Sequence, residues 1–328
     1  MNNQTTYADA IREGFDYLLK NYEEVFVIGQ GVWSPWYVGN TMNNLEKEYG
    51  KSRVIDTPTS EAAITGLAVG ASLCNKKPIV VHPRVDFAVY AMDPIVNQAA
   101  KWSSMFGAQD SPSFTARMII NRGGEQGAQH SQALQSWFAH IPGLHVLMPS
   151  CASDARDMLI ASTLSQSPVI YIDDRWLYET SETLDEIKEL KINEFNPKIV
   201  CNGNDITIIS SSYSTHISKE AAKELKKYNI SAEVIDLRTL SNLDVSYLIP
   251  SIQKTGRLLC VDGGWSTCGV SAEVISSIIE KIQPNVLLDS PKRLTIPFAP
   301  APSSKALEKI YYVSSQDIVD KCISIIKK

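Results

Sequence analysis

Ile55-Asp56-Thr57-Pro58-Thr59-Ser60-Glu61, running into Ala62-Ala63-Ile64-Thr65-Gly66-Leu67-Ala68-Val69-Gly70, decides how the first half of this 328-residue chain folds. Val54-Ile55-Asp56 reads as a short strand, the residues to Ser60 as a turn, and the small apolar run from Glu61 as a helix. A strand that feeds a helix through so short a turn is a crossover of a parallel sheet. Ligands of such sheets bind beyond the carboxyl ends of the strands. Glu61 therefore stands where α/β proteins keep their chemistry. A plainer reading fits the same residues: Ser60 caps the helix and Glu61 favours its positive end.

Outward from this stretch the pattern repeats. Ala8, Ile11, Phe15, Leu18 and Leu19 recur at helical spacing, predicting an amphipathic helix over 6–20. Val25-Phe26-Val27-Ile28-Gly29 and Pro78-Ile79-Val80-Val81-His82 read as buried strands, and 91–102 as a helix. Met118-Ile119-Ile120, His145-Val146-Leu147-Met148 and Val169-Ile170-Tyr171-Ile172 continue the strand series. Strands alternating with helices imply an α/β fold, a parallel sheet covered on both faces, over residues 1–185. The charged, weakly patterned residues 186–199 read as a linker. A second, smaller α/β domain over 200–328 then restarts the pattern. Its strands are Ile206-Thr207-Ile208-Ile209, Ala232-Glu233-Val234-Ile235-Asp236-Leu237, Leu258-Leu259-Cys260-Val261 and a last short Val286-Leu287-Leu288; its helices lie at 218–226 and 271–282.

The bulk numbers exclude several classes. The charge is −5, from 31 basic and 36 acidic residues spread along the chain, with no basic block for nucleic acid. No apolar run is long enough to span a membrane, and the polar Met1-Asn2-Asn3-Gln4-Thr5-Thr6 is no signal peptide. Cys74, Cys151, Cys201, Cys260, Cys268 and Cys322 form no C-x-x-C pair; the set reads as reduced and cytoplasmic, with no zinc site and no signature of a cysteine nucleophile.

Two further stretches carry chemistry. Asn121-Arg122-Gly123-Gly124-Glu125-Gln126-Gly127-Ala128-Gln129-His130-Ser131-Gln132 is a glycine-rich loop leading to His130, read here as the start of a helix through Trp137. It matches neither the dinucleotide nor the P-loop pattern. His82-Pro83-Arg84-Val85-Asp86-Phe87 follows a strand's carboxyl end, where a surface pair of Arg84 with Asp86 is the plain alternative to ligand binding. His140 reads as a helix-end residue, and His145 and His216 as structural.

In order, the T-P-x-S-E stretch, the small-residue helix, the aromatic segment ending in Asp93, Gln129-His130-Ser131-Gln132 and His140-Ile141-Pro142-Gly143-Leu144 closely resemble the beta subunit of the thiamine-diphosphate-dependent 2-oxoacid dehydrogenases. Less closely they resemble the carboxyl-terminal two thirds of transketolase. The likeness spans nearly the whole chain, including Glu233-Val234-Ile235-Asp236-Leu237-Arg238-Thr239 and Lys254-Thr255-Gly256-Arg257-Leu258. It implies a pyrimidine-binding domain followed by a transketolase C-terminal-like domain. In that family a carboxyl bonded to the aminopyrimidine drives its imino tautomer, whose nitrogen deprotonates the thiazolium carbon. By resemblance Glu61 is that carboxyl, Phe87 is the aromatic that stacks on the ring, and His130 handles substrate protons. The expected reaction is decarboxylation of a 2-oxoacid and transfer of the acyl unit to the lipoyl group of a dihydrolipoyl acyltransferase. The alternative is a split transketolase-like subunit that moves a ketol unit between sugars. A non-catalytic assembly subunit is a third class, against which the joint presence of Glu61, Phe87 and His130 argues.

The chain has no Gly-Asp-Gly motif, with which the family holds diphosphate and Mg2+. The resemblance therefore implies an alpha subunit that supplies those ligands, in a heterotetramer of two alpha and two beta chains, with no metal held by this one. A structural K+ ion occurs in some relatives, mostly on backbone carbonyls; Ser165-Gln166-Ser167 departs from the acidic version of that loop. Gln30 stands beside the cofactor position where the dehydrogenases carry acidic residues, and His82 and Arg84 replace residues usually uncharged. His82 and Arg84 are accordingly expected to recognise a polar or anionic substrate larger than pyruvate. Asp262-Gly263-Gly264-Trp265 replaces a glutamate-led loop and is expected to serve subunit packing. Titration calorimetry of the purified chain with thiamine diphosphate and magnesium is expected to show no tight binding. Tight binding by the chain alone contradicts the half-site expectation.

Overall fold

The computed structural model describes residues 4–327. The chain divides into two compact units. One comprises residues up to Arg122 together with Trp137–Phe195; the other comprises Gly123–Ser136 and Asn196–Lys328. The segment of the second unit that is inserted between Arg122 and Trp137 carries His130.

The first unit is built on six parallel strands: β1 (Val25–Gln30), β2 (Val54–Thr57), β3 (Lys77–His82), β4 (Thr115–Ile120), β5 (His145–Leu147) and β6 (Val169–Asp174), in the order β2-β1-β3-β4-β6-β5. Every residue of β4 and β6 is buried, so these strands are covered on both faces, as a parallel sheet requires. The helix Tyr7–Asn21 starts at Thr6, whose side chain accepts from the Asp9 N–H, and lays Ile11, Phe15, Leu18 and Leu19 into the core. The order reverses at β1: the chain goes to β2 on one side and to β3 on the other. That switch point opens a crevice outside the carboxyl ends of β1 and β3. At Gly29 an added Cβ would overlap the Val81 carbonyl oxygen, so the close pairing of the two strands needs glycine there.

One ion pair sits inside this sheet. Arg117 Nε and Nη2 donate to Asp173 Oδ1 and Oδ2, each at 2.9 Å, and both side chains are fully buried. Nη1 donates to Thr41 Oγ1 (2.8 Å), and the Tyr178 hydroxyl donates to Asp173 Oδ2 (2.5 Å). Burial works to lower the Arg117 pKa, but the Asp173 carboxylate prevails and raises it.

The second unit holds β7 (Lys198–Cys201), β8 (Ile206–Ser210), β9 (Ala232–Asp236), β10 (Leu258–Trp265) and β11 (Lys292–Ile296), in the order β11-β10-β8-β9-β7. All neighbours are parallel except β7, an antiparallel edge strand. Its core joins Ile206, Ile208, Val234 and Leu259 to the helices Tyr213–Leu225 and Ser315–Ile326. The expected α/β class and parallel first sheet are found, in two domains.

Several sequence expectations need correction. The helix expected over 91–102 is a 3-10 turn (Val85–Ala91), a π-helix (Asp93–Ala99) and a short α-turn (Trp102–Met105). The Ala100 N–H reaches back five residues to the Ile95 carbonyl (3.0 Å), the bond of a π-turn in place of an α-ladder. Val286 ends a 3-10 turn begun by Pro284, and the last strand is β11. The end of the expected linker, Lys198 and Ile199, pairs in β7, and Phe195 is buried.

Removing Asp173 leaves Arg117 charged in the core without its counterion. Asp173→Ala is expected to cost about 3–5 kcal/mol in urea unfolding. A loss under about 1 kcal/mol contradicts this account of the sheet's polar centre.

Candidate active site

Glu61 opens the helix Glu61–Ser72 directly after β2. Ser60 is the cap residue by position, with φ −165° and ψ 65°, but its side chain makes no capping hydrogen bond. The helix start is held by backbone alone, through the Ile64 N–H to the Ser60 carbonyl (3.0 Å). Capping by the Ser60 side chain is thus not the reason for this sequence. Glu61 is half-buried at the positive end of a helix whose Ile64, Thr65, Ala68 and Val69 face inward. Its position is tied to β1 through Asp56, whose Oδ1 accepts from the Gly31 N–H at 2.6 Å. Gln30, the last residue of β1, is half-buried and lies in register with Thr57.

The loop after β3 supplies the next residues. His82 is buried at 1% exposure. Its Nε2 lies 3.2 Å from Thr65 Oγ1 on the Glu61 helix, and its Nδ1 has no hydrogen-bond partner among the described residues. Burial pushes the His82 pKa down to about 4, so the ring is neutral near pH 7. This corrects the expectation of a substrate-facing histidine: the side chain points under the Glu61 helix, and a neutral ring offers an anion no charge.

Arg84 and Phe87 are both half-buried. With the Asn121 amide oxygen turned toward it, Arg84 donates from Nη1 and from Nη2 (3.1 Å). Asn121 follows β4, so the guanidinium is braced between the carboxyl ends of β3 and β4. Burial lowers the Arg84 pKa, the neighbouring Arg175 charge adds to this, and Asp86 opposes it. Phe87 lies on the 3-10 turn Val85–Ala91, held by its N–H to the Arg84 carbonyl (3.3 Å). Glu61, Gln30, His82, Arg84 and Phe87 therefore gather at one edge of the first unit's sheet.

A feature missed from the sequence lies on the same unit. Trp36, Asn40, Arg175, Tyr178 and Glu179 line a cleft of about 370 Å³. Arg175 Nη2 donates to the Trp36 carbonyl at 2.6 Å, and Trp36 itself is 84% exposed. The signal available was the cluster of Trp33, Trp36 and Tyr37 in a loop after a strand's carboxyl end.

His130 belongs to the other unit. It is half-buried in a turn, its N–H directed at the Gly127 carbonyl (3.4 Å), and the helix expected to start there spans only Gln135–Ala139. Gly123, Gly124, Glu125 and Gly127 take φ of 74°, 65°, 61° and 73°, which no α-helix accommodates. Asp262 reaches this loop: its Oδ1 accepts from Gln135 Nε2 at 2.9 Å. The Asp262 turn thus has an internal role within its own unit, where the sequence reading looked to subunit packing.

The residues present fit one half of a thiamine cofactor. A carboxyl at a helix start and an aromatic on the adjacent loop suit an aminopyrimidine. Among the described residues no group of three His, Cys, Asp or Glu side chains could hold a metal ion. Burial pushes the Cys151 thiol up to about 12 and raises that of Cys260, so neither of these two is an activated nucleophile. No described helix is long and apolar enough to cross a membrane.

Comparison with known proteins bears on family and fold. Residues 3–180 match the family described as transketolase, pyrimidine binding domain, and residues 196–318 match transketolase, C-terminal domain. The chain is 35% identical to the pyruvate dehydrogenase E1 component subunit beta-1, mitochondrial, of Arabidopsis thaliana, across 96% of this chain and 88% of that one. It is 35% identical to the mitochondrial E1 beta subunit of Saccharomyces cerevisiae (96% and 87% covered) and 33% identical to the E1 beta subunit of Rickettsia bellii (97% of each). A solved chain described as a split gene transketolase, inactive beta4 tetramer, shares the fold with a TM-score of 0.76 at 18% identity, over 98% of both chains.

The His82 environment sets a pH dependence. The unfolded chain binds the imidazole proton near pH 6.5, whereas the folded chain resists it to about 4. The unfolded state therefore holds more protons between these values, and stability falls as pH drops through that window. The loss from this group is about 3 kcal/mol by pH 4, with none above pH 7. Denaturation curves from pH 4 to 7 are expected to flatten in His82→Gln; an unchanged slope contradicts the buried neutral ring.

Proposed function

The chain belongs to the transketolase-type family of pyruvate dehydrogenase E1 beta subunits, and from that membership we propose that it is the beta subunit of a thiamine-diphosphate-dependent 2-oxoacid dehydrogenase. The observation that carries the reading is that Glu61 opens the helix after β2 and Phe87 lies on the turn after β3, both at the carboxyl edge of the sheet. When bound, thiamine diphosphate supplies the carbon nucleophile that adds to a 2-oxoacid and the electron sink that allows loss of carbon dioxide.

This chain's residues serve that chemistry by binding and proton control. Glu61 holds a proton shared with the aminopyrimidine ring and so sets its tautomer. Phe87 presents a flat apolar face for stacking. His130 gives and takes the proton of the substrate oxygen. Neutral His82 braces the Glu61 helix through Thr65. The half-site supports an alpha partner that holds diphosphate and magnesium, in a two-alpha, two-beta assembly. Transfer to a lipoyl group of an acyltransferase follows the same family reading.

A second reading, ketol transfer by a split transketolase-like complex, draws on one local observation. Arg84 is braced by Asn121 and lies within electrostatic reach of Arg175. A pair of guanidinium groups favours a donor with a phosphate or a second carboxylate. The test is co-expression with the alpha partner, followed by a screen of 2-oxoacids and ketoses as donors. Release of carbon dioxide from a 2-oxoacid supports the dehydrogenase, and activity on ketoses alone overturns it. In the same assay Arg84→Ala is expected to cut kcat/KM about tenfold or more on a donor with a phosphate or a second carboxylate and little on pyruvate. Equal losses on both contradict anion recognition by Arg84.

A further inference from the structure

The loop that carries His130 has almost no regular structure to fix it. Four residues at positive φ between Gly123 and Gly127 interrupt any ladder, and the next helix begins only at Gln135. Besides the packing of buried Ala133 and Leu134, contacts inside the second unit hold both of its ends. At one end the Glu125 N–H donates to Glu308 Oε1 (2.9 Å), and the Lys305 N–H donates to Glu125 Oε1 (3.2 Å). At the other, Gln135 Nε2 donates to Asp262 Oδ1 (2.9 Å). His130 lies midway between these clamps.

The second clamp is anchored. Asp262 Oδ1 also accepts from the Gly264 N–H (2.9 Å), and Oδ2 accepts from the Ser271 N–H (3.2 Å) in the first turn of the helix Val270–Ile279. The carboxylate is therefore held by its own strand end and by a helix's positive end. Gln135 is 3% exposed, and its Oε1 has no hydrogen-bond partner among the described residues. A buried amide with an unmet acceptor is costly where packing alone is needed, and an apolar side chain would fill the space better. Its N–H bond to Asp262 is the reason for an amide here. Gly264 agrees independently: an added Cβ would lie 3.1 Å from Gln135 Nε2 and 3.4 Å from the Ala133 carbonyl oxygen, so a bare backbone lets the loop approach.

We propose that Asp262, acting through Gln135, is the positioning residue for His130. The proposal rests on the reading of His130 as the group that handles substrate protons. Asp262 touches no reacting atom; it acts by holding the loop in one place, and misplacement of a proton-transfer group by an ångström is expensive in rate.

Gln135→Met removes the donor and keeps length and volume. In the complex with the alpha subunit, its kcat on the accepted 2-oxoacid is expected to fall about tenfold or more. KM should stay within about twofold, since ground-state binding is untouched. His130→Ala combined with Gln135→Met should be no slower than His130→Ala alone, because both act through one group. Hydrogen–deuterium exchange over 127–134 in the full chain should accelerate, and Gly264→Ala should give the same pattern. Wild-type rate with unchanged exchange, or losses that multiply in the double variant, overturns the proposal. If His130→Ala keeps the wild-type rate, the catalytic reading of His130 falls and exchange alone decides the positioning. Faster exchange in Gln135→Met upholds it, and unchanged exchange overturns it.

Discussion

Parallel pairing of six strands is the constraint on which the first unit depends. Its inner strands are buried along their whole length, so polar side chains there must be paired internally, as Arg117 and Asp173 are. Unpaired chemistry is pushed to the strand ends. Because all six strands run the same way, those ends share one edge, and the reversal of order at β1 opens a crevice in that edge. Gln30, Glu61 and Arg84 stand there because sheet topology leaves them no other place.

Much of this was legible in the sequence where local pattern and tertiary role coincide. The short link from Val54–Thr57 to Glu61 showed both the crossover and the carboxyl at its helix start. Legibility failed where long-range contacts overrode local preference. His130 reads as the head of a helix because polar and apolar residues alternate suitably up to Trp137. The glycines before it, and the hold of Asp262 on Gln135, keep the segment irregular and deliver it to the other unit. No spacing rule couples position 135 to position 262. Residues 91–102 departed locally: the Ala100 N–H bonds to the Ile95 carbonyl, so an α pattern closes as a π-turn.

His82 and Arg84 show how neighbours in sequence diverge in role. One residue separates them, yet burial neutralises His82 against the Glu61 helix, whereas Asn121 holds Arg84 between the carboxyl ends of β3 and β4. The strand ends at His82, so alternation does not set the direction of Arg84, and the surroundings decide which of the two keeps its charge. The departures from the family pattern at this edge therefore have separate meanings. His82 belongs to the scaffold under the helix that Glu61 opens, and on the proposed reading Arg84 serves the choice of substrate.

The central claim is that Glu61 sets the tautomer of the bound aminopyrimidine. Exchange of the thiazolium C2 proton, followed by NMR in the complex with the alpha subunit, measures that step before any substrate binds. Glu61→Gln is predicted to slow the exchange by about a hundredfold or more while the cofactor stays bound. Exchange at the wild-type rate in Glu61→Gln, with the cofactor site filled, would contradict the account.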